Sequence, residues 1–287
     1  MASRRSSGRE LPEAVVVGSG PNGLAAAIAL AQAGREVRVL EGQPTIGGGC
    51  RSAELTLPGF VHDTCSTVHA LALASPFLRS LPLAEHGFEP VHPQAPLAHP
   101  LDDGSAVMLE RSIPETAAGL GVDADAYRRL LEPLVREADA FFEAVLGPLV
   151  RPHRLRPPPH PLLLARFGLR GLRSAAGLAG SRFDGERARA LFAGCAAHSM
   201  LSLRAPLSAA FGLVLAVSAH AVGWPVARGG SQRLADALAG HLRSLGGTIE
   251  TARAVASLAE LGGGAPLLLD VTPRQLGELA DAPLAGR

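Results

Sequence analysis

The chain has 287 residues, of which 47% are hydrophobic, 18% charged and 4% aromatic, enough apolar material for a sizeable core and too much for global disorder. Lys+Arg total 27 against 26 for Asp+Glu, a net charge of +1, so no whole-chain field draws the protein to nucleic acid or to an acidic partner. Every basic residue is arginine, which excludes a phosphate loop ending in Lys-Ser/Thr, a pyridoxal Schiff base and any lysine nucleophile.

Residues 1–13 read as a polar flexible tail. Arg4-Arg5 suggests an export signal, but the next apolar run is short and leads into a glycine turn rather than a cleavage site. From Leu11 to Leu73 short apolar strands alternate with Ala-rich helical text and glycine turns, the pattern of a βαβ unit. Its opening is Val15-Val16-Val17-Gly18-Ser19-Gly20-Pro21-Asn22-Gly23, a G-x-G-x-x-G that follows a strand directly and starts a helix. Gly18 permits the tight turn, Gly20 lets the backbone approach a pyrophosphate, and Gly23 lets the helix pack closely on the sheet. Glu41 ends the second strand, 23 positions after Gly18, where a carboxylate accepts hydrogen bonds from an adenosine ribose. An empty Rossmann-like domain is the alternative. Beyond Glu41 comes a second cluster, Gly47-Gly48-Gly49-Cys50-Arg51. A nicotinamide domain has no need of it, whereas a flavin site needs backbone close to the ribityl chain and ring. Arg51 then offsets negative charge on the pyrophosphate or flavin.

Pro82 to Leu109 suggests short strands, at Phe88–Val91 and Ala106–Leu109, and Glu115 to Arg204 is mostly helical apart from the break at Pro157-Pro158-Pro159. The 40 residues Ala144 to Phe183 hold no acidic residue and seven arginines: Arg151, Arg154, Arg156, Arg166, Arg170, Arg173 and Arg182. This patch is either a solvated basic face or a contact with an anionic membrane surface. Between Arg204 and Arg228 no residue carries a fixed charge. The length reaches that of a membrane span, but Pro206, Gly223 and Pro225 favour a buried helix. From Gly229 the βα pattern returns: Ser231 caps a helix with Leu234, Leu238, Leu242 and Leu245 on one face, stopped by Gly246-Gly247. Strands around Thr248–Thr251 and Pro266–Val271 follow, then a turn at Pro273 and a short helix. Cys50, Cys65 and Cys195 are odd in number and form no C-x-x-C, which points to a reducing, cytoplasmic setting, with membrane association as the alternative, and to no structural metal site.

The segments "VVVGSGPNGLAAAIALAQAGREVRVLE", "IGGGCRS", "LPGFVHDTCSTVHALALASPF", "LFAGCAAHSM", "GWPVARGGSQRLADAL" and "LLLDVTPRQL" together resemble the FAD-dependent oxidoreductases related to amine oxidases and phytoene dehydrogenases. More narrowly they resemble the phytoene dehydrogenase-like subgroup that includes the pyridine nucleotide-disulfide oxidoreductase domain-containing proteins. The resemblance implies an α/β fold: a Rossmann-like FAD-binding domain of glutathione-reductase type, from 12–75 and 226–287, with an incomplete, largely helical substrate domain at 76–225. It implies FAD held by Gly18, Gly20, Pro21, Asn22 and Gly23 at the pyrophosphate, Glu41 on the ribose, and Gly47, Gly48 and Arg51 along the flavin side. It further implies a strand before Ala256 whose Val255 backbone contacts adenine. The implied reaction is hydride abstraction from an apolar small-molecule substrate. In related desaturases an Asp before a Gly-Pro pair lies beneath the flavin; here Asp63 matches but Cys65-Ser66 stands in the Gly-Pro place.

His62, Asp63, His69 and His198 are the catalytic candidates, each weighed against an ordinary structural role. Cys50 is read as a small buried thiol, and Trp224 as lobe packing or the wall of a substrate pocket. Family members continue past the equivalent of Arg287 with a segment that closes over the flavin. The chain is therefore read as a truncated member, as one half of a split enzyme completed by a second polypeptide, or as a nucleotide-binding scaffold without activity.

Overall fold

A computed structural model describes residues 13–147, 160–262 and 264–280. The tail with Arg4-Arg5, the triple proline and Arg151, Arg154 and Arg156 lie outside the described residues. In chain order the strands are β1 (Ala14–Val17), β2 (Val37–Leu40), β3 (Ser52–Glu54), β4 (Val61–Asp63), β5 (Pro90–Val91), β6 (Leu97–Pro100), β7 (Ala106–Leu109), β8 (Val226–Ala227), β9 (Thr248–Glu250) and β10 (Leu267–Leu269). The helices are α1 (Pro21–Gln32), α2 (Pro76–Arg79), α3 (Ile113–Ala118), α4 (Ala124–Arg136), α5 (Ala138–Leu146), α6 (Pro161–Gly171), α7 (Ala175–Arg182), α8 (Glu186–Ala197), α9 (Ser208–Ala221), α10 (Gln232–Ser244) and α11 (Pro273–Leu279).

The chain forms two compact units. The first comprises residues 1–67, 81–90 and 227–287; the second 68–80 and 91–226. The expected boundaries differ at two places. Ala74 is fully buried in the second unit's core with Ala70 and Leu71 packed against that core, so 68–75 leaves the first unit. Residues 81–90 join it because Leu83 and Phe88 are buried and the His86 ring packs on His241 of α10, 5.4 Å between centroids.

In the first unit a four-stranded parallel sheet runs β10-β1-β2-β9, with Val15 opposite Leu267 and Arg38. β1 is buried along its whole length, as a central parallel strand must be when both faces are covered. Val15, Val17 and Leu40 form a core against which Val255, Leu261, Leu269 and Val271 pack. Helices α1 and α10 lie against each other; on α10 Leu234, Leu238 and Leu242 are buried, each contributing roughly 1.5–3 kcal/mol. Leu245 is 38% exposed, contrary to the expected stripe, because α10 stops at Ser244. There the Gly246 amide donates to the Arg243 carbonyl and the Gly247 amide to the Leu242 carbonyl, a Schellman ending.

Ser231 does not cap α10 with its side chain. Asp63 of β4 takes that role: its Oδ1 accepts from the Ser231 amide at 2.7 Å and from the Ser52 hydroxyl at 2.6 Å, while Ser52 Oγ accepts from the Gln232 amide at 3.0 Å. Burial alone raises the Asp63 carboxyl, but hydrogen bonds from Ser52, Ser231 and Thr67 outweigh it and hold it below the ordinary carboxylate range.

The second unit is largely helical, with the antiparallel hairpin β6–β7 against α8. Phe141, Phe142, Phe183, Leu178, Leu191 and Leu213 are among its large, fully buried side chains. The uncharged run becomes α9, buried on nearly every side among α4, α6, α7 and α8. A helix apolar all round belongs in such a place. At 14 residues it reaches about 21 Å, short of a bilayer core. Among the described residues no helix is long and apolar enough to cross a membrane.

Candidate functional site

The site lies at the carboxyl ends of β1, β2 and β10. After Val17 the chain turns at Gly18, whose φ of +102° disfavours other residues. A Cβ there would also lie 2.4 Å from the Asp270 carbonyl oxygen. The Gly18 amide donates to Leu40 O and the Asp270 amide to Val17 O, both at 2.8 Å, so the turn is tied to both flanking strands. Helix α1 starts at Pro21, which has no amide to satisfy, after a Gly20 N-cap that offers no side-chain oxygen. The Gly23 amide donates to Asp270 Oδ2 at 2.9 Å. The Asn22 amide has no hydrogen-bond partner among the described residues. A helix start with a glycine cap and an open amide suits an anion.

Glu41 is buried at the end of β2. Its Oε2 accepts from the Ser19 amide at 3.1 Å and from the Ser19 hydroxyl; its Oε1 accepts from the Gln43 amide at 2.9 Å and from Arg51 Nη2 at 3.0 Å. Arg51 Nε also donates to the Thr45 carbonyl. A ribose hydroxyl reaching Glu41 must share or displace one of these donors. Arg51 is the one free to swing, because the others are backbone or fully buried.

The second glycine cluster folds back on the first. The Gly47 amide donates to Ser19 O at 3.0 Å. A Cβ on Gly48 would stand 3.1 Å from Gly20 Cα, and one on Gly47 would meet Ala235 and Gln232 of α10. With φ of +113° at Gly47 and +53° at Gly48, backbone conformation and packing within the chain account for these two glycines before any ligand is invoked.

Val255 does not lie on a strand, contrary to expectation. After β9 the chain leaves the ladder, and residues 252–253 run beside residues 41–43, the Ala252 amide donating to Gln43 O and the Arg253 amide to Glu41 O. Across the turn α11 begins with a Thr272–Gln275 capping box.

A cleft of about 880 Å³ results, lined by Gly18, Gly20, Pro21, Asn22, Glu41, Gly48, Arg51 and Val255 among the expected residues, and also by Gly49, Arg253, Asp270, Thr272, Gln275 and Glu278. Gly23 and Gly47 stand behind it. Asp270, Gln275 and Glu278 escaped the sequence reading, although a charged residue closing the strand "LLLD" beside a glycine turn is where a crevice opens in an α/β sheet. The lining holds Glu41, Asp270 and Glu278 against Arg51 and Arg253, so attraction for an anion rests on the helix start rather than on net charge.

The catalytic candidates are divided between the two units. His62 bonds Thr56 Oγ1 through Nε2 at 2.8 Å, and Asp63 caps α10. In the second unit His69 is buried, its amide donating to Pro225 O at 2.8 Å, and the exposed His198 bonds the Gly194 carbonyl. None of the four lines the cleft. Trp224 is buried with its indole N–H on Ser218 Oγ and Leu215 O, which is packing rather than a pocket wall. Burial, then the nearby Asp63 and Cys65, push the Cys50 thiol up, as for an inert buried cysteine.

The fold and the cleft together define a Rossmann-like α/β dinucleotide-binding architecture, and residues 16–81 match the family model of NAD(P)-binding Rossmann-like domains. Among solved structures the chain is similar to a protein of Pyrococcus furiosus (TM-score 0.57, 19% identity, covering 93% of this chain and 61% of that one). It is also similar to a CLA-producing fatty acid isomerase from P. acnes (TM-score 0.54, 16% identity, 93% and 60%) and to wild-type putrescine oxidase bound to putrescine (TM-score 0.50, 23% identity, 83% and 51%). These likenesses establish the fold, and the chain spans about 51–61% of the length of these structures. No curated protein matches the sequence.

Proposed function

We propose that the cleft holds FAD and that the chain serves a flavin-dependent oxidoreductase of the dehydrogenase or desaturase type acting on an apolar substrate. The observation that carries this reading is the convergence of Gly18–Asn22, Glu41, Gly48, Arg51 and Val255 on one cleft at the carboxyl ends of a parallel sheet. Its volume suits a ligand of cofactor size. The residues present fit the group: Gly20 and the open Asn22 amide accommodate a pyrophosphate, Glu41 a ribose, and the Val255 backbone an adenine edge. When bound, FAD supplies the electron sink that accepts a hydride.

What this chain contributes is binding and orientation. The α1 start would hold the pyrophosphate, and Arg51, released from Glu41, would move from a carboxylate to a phosphate partner. No side chain of the first unit is assigned a proton transfer. Substrate oxidation is supported by the resemblance to phytoene dehydrogenase-like proteins and by an oxidase among the structural neighbours. Apolar substrate is supported by the former and by a fatty acid isomerase, by its name, among the latter.

The test is the visible spectrum of the purified protein, followed by titration with FAD. Yellow protein with flavin bands, or uptake of one FAD per chain that Glu41→Ala weakens, is the expected result. Protein that binds NAD(H) tightly and no flavin would overturn the assignment. Protein that takes up FAD but turns over no substrate alone favours the second reading, a scaffold or one subunit of a split enzyme.

A further inference from the structure

Three helices of the second unit bring arginines to one cavity of about 530 Å³: Arg129 from α4, Arg170 from the last turn of α6, and Arg182 from the end of α7. Ala126, Leu130 and Ser181 complete the lining, and no carboxylate is among them. Among the described residues none of the three arginines forms an ion pair. For Arg170 and Arg182 the sequence explains the lack of counter-ions locally, since Ala144 to Phe183 contains no acidic residue.

Arg170 is half-buried, and its one hydrogen bond among the described residues, to Leu130 O, is long at 3.4 Å. Burial, then the charges of Arg182 and Arg166, lower its pKa, so the Arg170 guanidinium is held near those two against their repulsion. Helix carbonyls favour a cation at the ends of α6 and α7. That accounts for an arginine at each end but not for their meeting Arg129 without an anion. Ser181 is already engaged: its hydroxyl donates to Leu178 O and accepts from Arg173. The open donors are the arginines.

We propose that this cavity binds a phosphate monoester group through Arg129, Arg170 and Arg182. Three guanidinium forks match a tetrahedral dianion with several acceptor oxygens better than they match a single carboxylate. The phosphate has two sources, a soluble ester or a phospholipid headgroup. The second is included because α6 exposes Leu162 and Leu169, each 77%, beside Arg166, the composition of a helix that lies on an anionic membrane.

The experiment measures the melting temperature of the full chain, and mass-mapped modification of arginines by phenylglyoxal. The probes are inorganic phosphate, potassium chloride at matched ionic strength, and phosphatidylcholine vesicles with and without phosphatidic acid. Inorganic phosphate is expected to raise Tm saturably and to protect Arg129, Arg170 and Arg182. Arg170→Gln and Arg182→Gln should each weaken the response roughly tenfold, the loss of one charged hydrogen-bonding contact. Binding confined to phosphatidic acid vesicles and weakened in the same variants supports the site and identifies the lipid as its source. Should a variant misfold, protection mapping on the unaltered protein decides. Equal protection by chloride, an undiminished response in both variants, or protection of Arg51 and Arg253 alone would overturn the proposal.

Discussion

Asp270 gives the sharpest test of how the cleft is built, because one charge serves the empty protein and opposes the occupied one. Its Oδ2 accepts the Gly23 amide at 2.9 Å in the first turn of α1, and the same oxygen would lie 2.7 Å from a Cβ on Gly20. The carboxylate is thus wedged against the helix start. Asp270→Asn keeps the shape and an acceptor oxygen and removes only the charge. A carboxylate at a helix N-terminus contributes about 0.3–1 kcal/mol, and up to ~2 when partly buried. A hydrogen bond to a charged acceptor exceeds a neutral one by about 1 kcal/mol. The two overlap, since the dipole acts largely through that same amide, so the ligand-free protein should lose ~1–2 kcal/mol.

Nucleotide binding should change in the opposite direction. Asp270 lines the cleft, and removing a like charge from a half-exposed site should favour a diphosphate by on the order of 1 kcal/mol, about fivefold in Kd. Urea unfolding without nucleotide measures the first effect, and calorimetric titration with ADP, which carries the adenosine and diphosphate without the flavin, measures the second. Asp270→Ala should cost more stability, about 1–3 kcal/mol, because the Gly23 amide then has no acceptor. Unchanged stability in Asp270→Asn, or ADP affinity that falls together with stability, would refute the reasoning.

Glu41→Ala leaves the Ser19 amide and hydroxyl, the Gln43 amide and Arg51 without their common acceptor; a loss of at least about 2 kcal/mol is expected in urea unfolding, together with weaker ADP binding. Among the described residues the His241 ring has both nitrogens buried without partners. Burial, then His86, pushes its pKa below the ordinary 6.5, with Glu85 opposing. The folded state then binds fewer protons than the unfolded one, so this contribution is complete above pH 6.5 and is lost as pH falls through 6.5 toward the folded value. His241→Leu should flatten the decline in Tm between about pH 7 and 5; part of the slope that survives belongs to His220 and His92, both lowered chiefly by burial. In the second unit Tyr127 O–H pairs with His220 Nε2 at 2.7 Å while His220 Nδ1 faces Arg111 O; Tyr127→Phe should cost about 1–2 kcal/mol by leaving that nitrogen unpaired. Gly49→Ala adds a Cβ that meets only Cys65, at ordinary contact distance; stability should stay within about 0.5 kcal/mol, and flavin uptake, where FAD is bound, should fall.

The parts of the fold written in adjacent residues were legible, and those made by distant pairs were not. An apolar run, a glycine turn and a proline at the first helical position lie within a dozen residues, so β1, the turn and α1 could be read directly. The leucine period of α10 and its stop at Gly246 are equally local. By contrast, the Gly23–Asp270 bond spans 247 residues and the Ser231–Asp63 bond 168. No spacing rule gives either, and so Asp63 was weighed for chemistry when it caps a helix. The uncharged run was ambiguous for a related reason. Composition gives apolarity but not what surrounds it, and α8, Phe192 against Gly212 among its contacts, supplies the surroundings. The triple glycine shows how far a local argument for a ligand carries. Gly47 and Gly48 lie in the left-handed region, at φ +113° and +53°, and are crowded by Ala235 and Gln232 and by Gly20 respectively, neighbours invisible in the segment itself. Of the three, only Gly49 has neither a left-handed backbone nor a crowding neighbour. It is therefore the one position of the three where a loss of cofactor binding without a loss of stability separates room kept for a ligand from room kept for the chain.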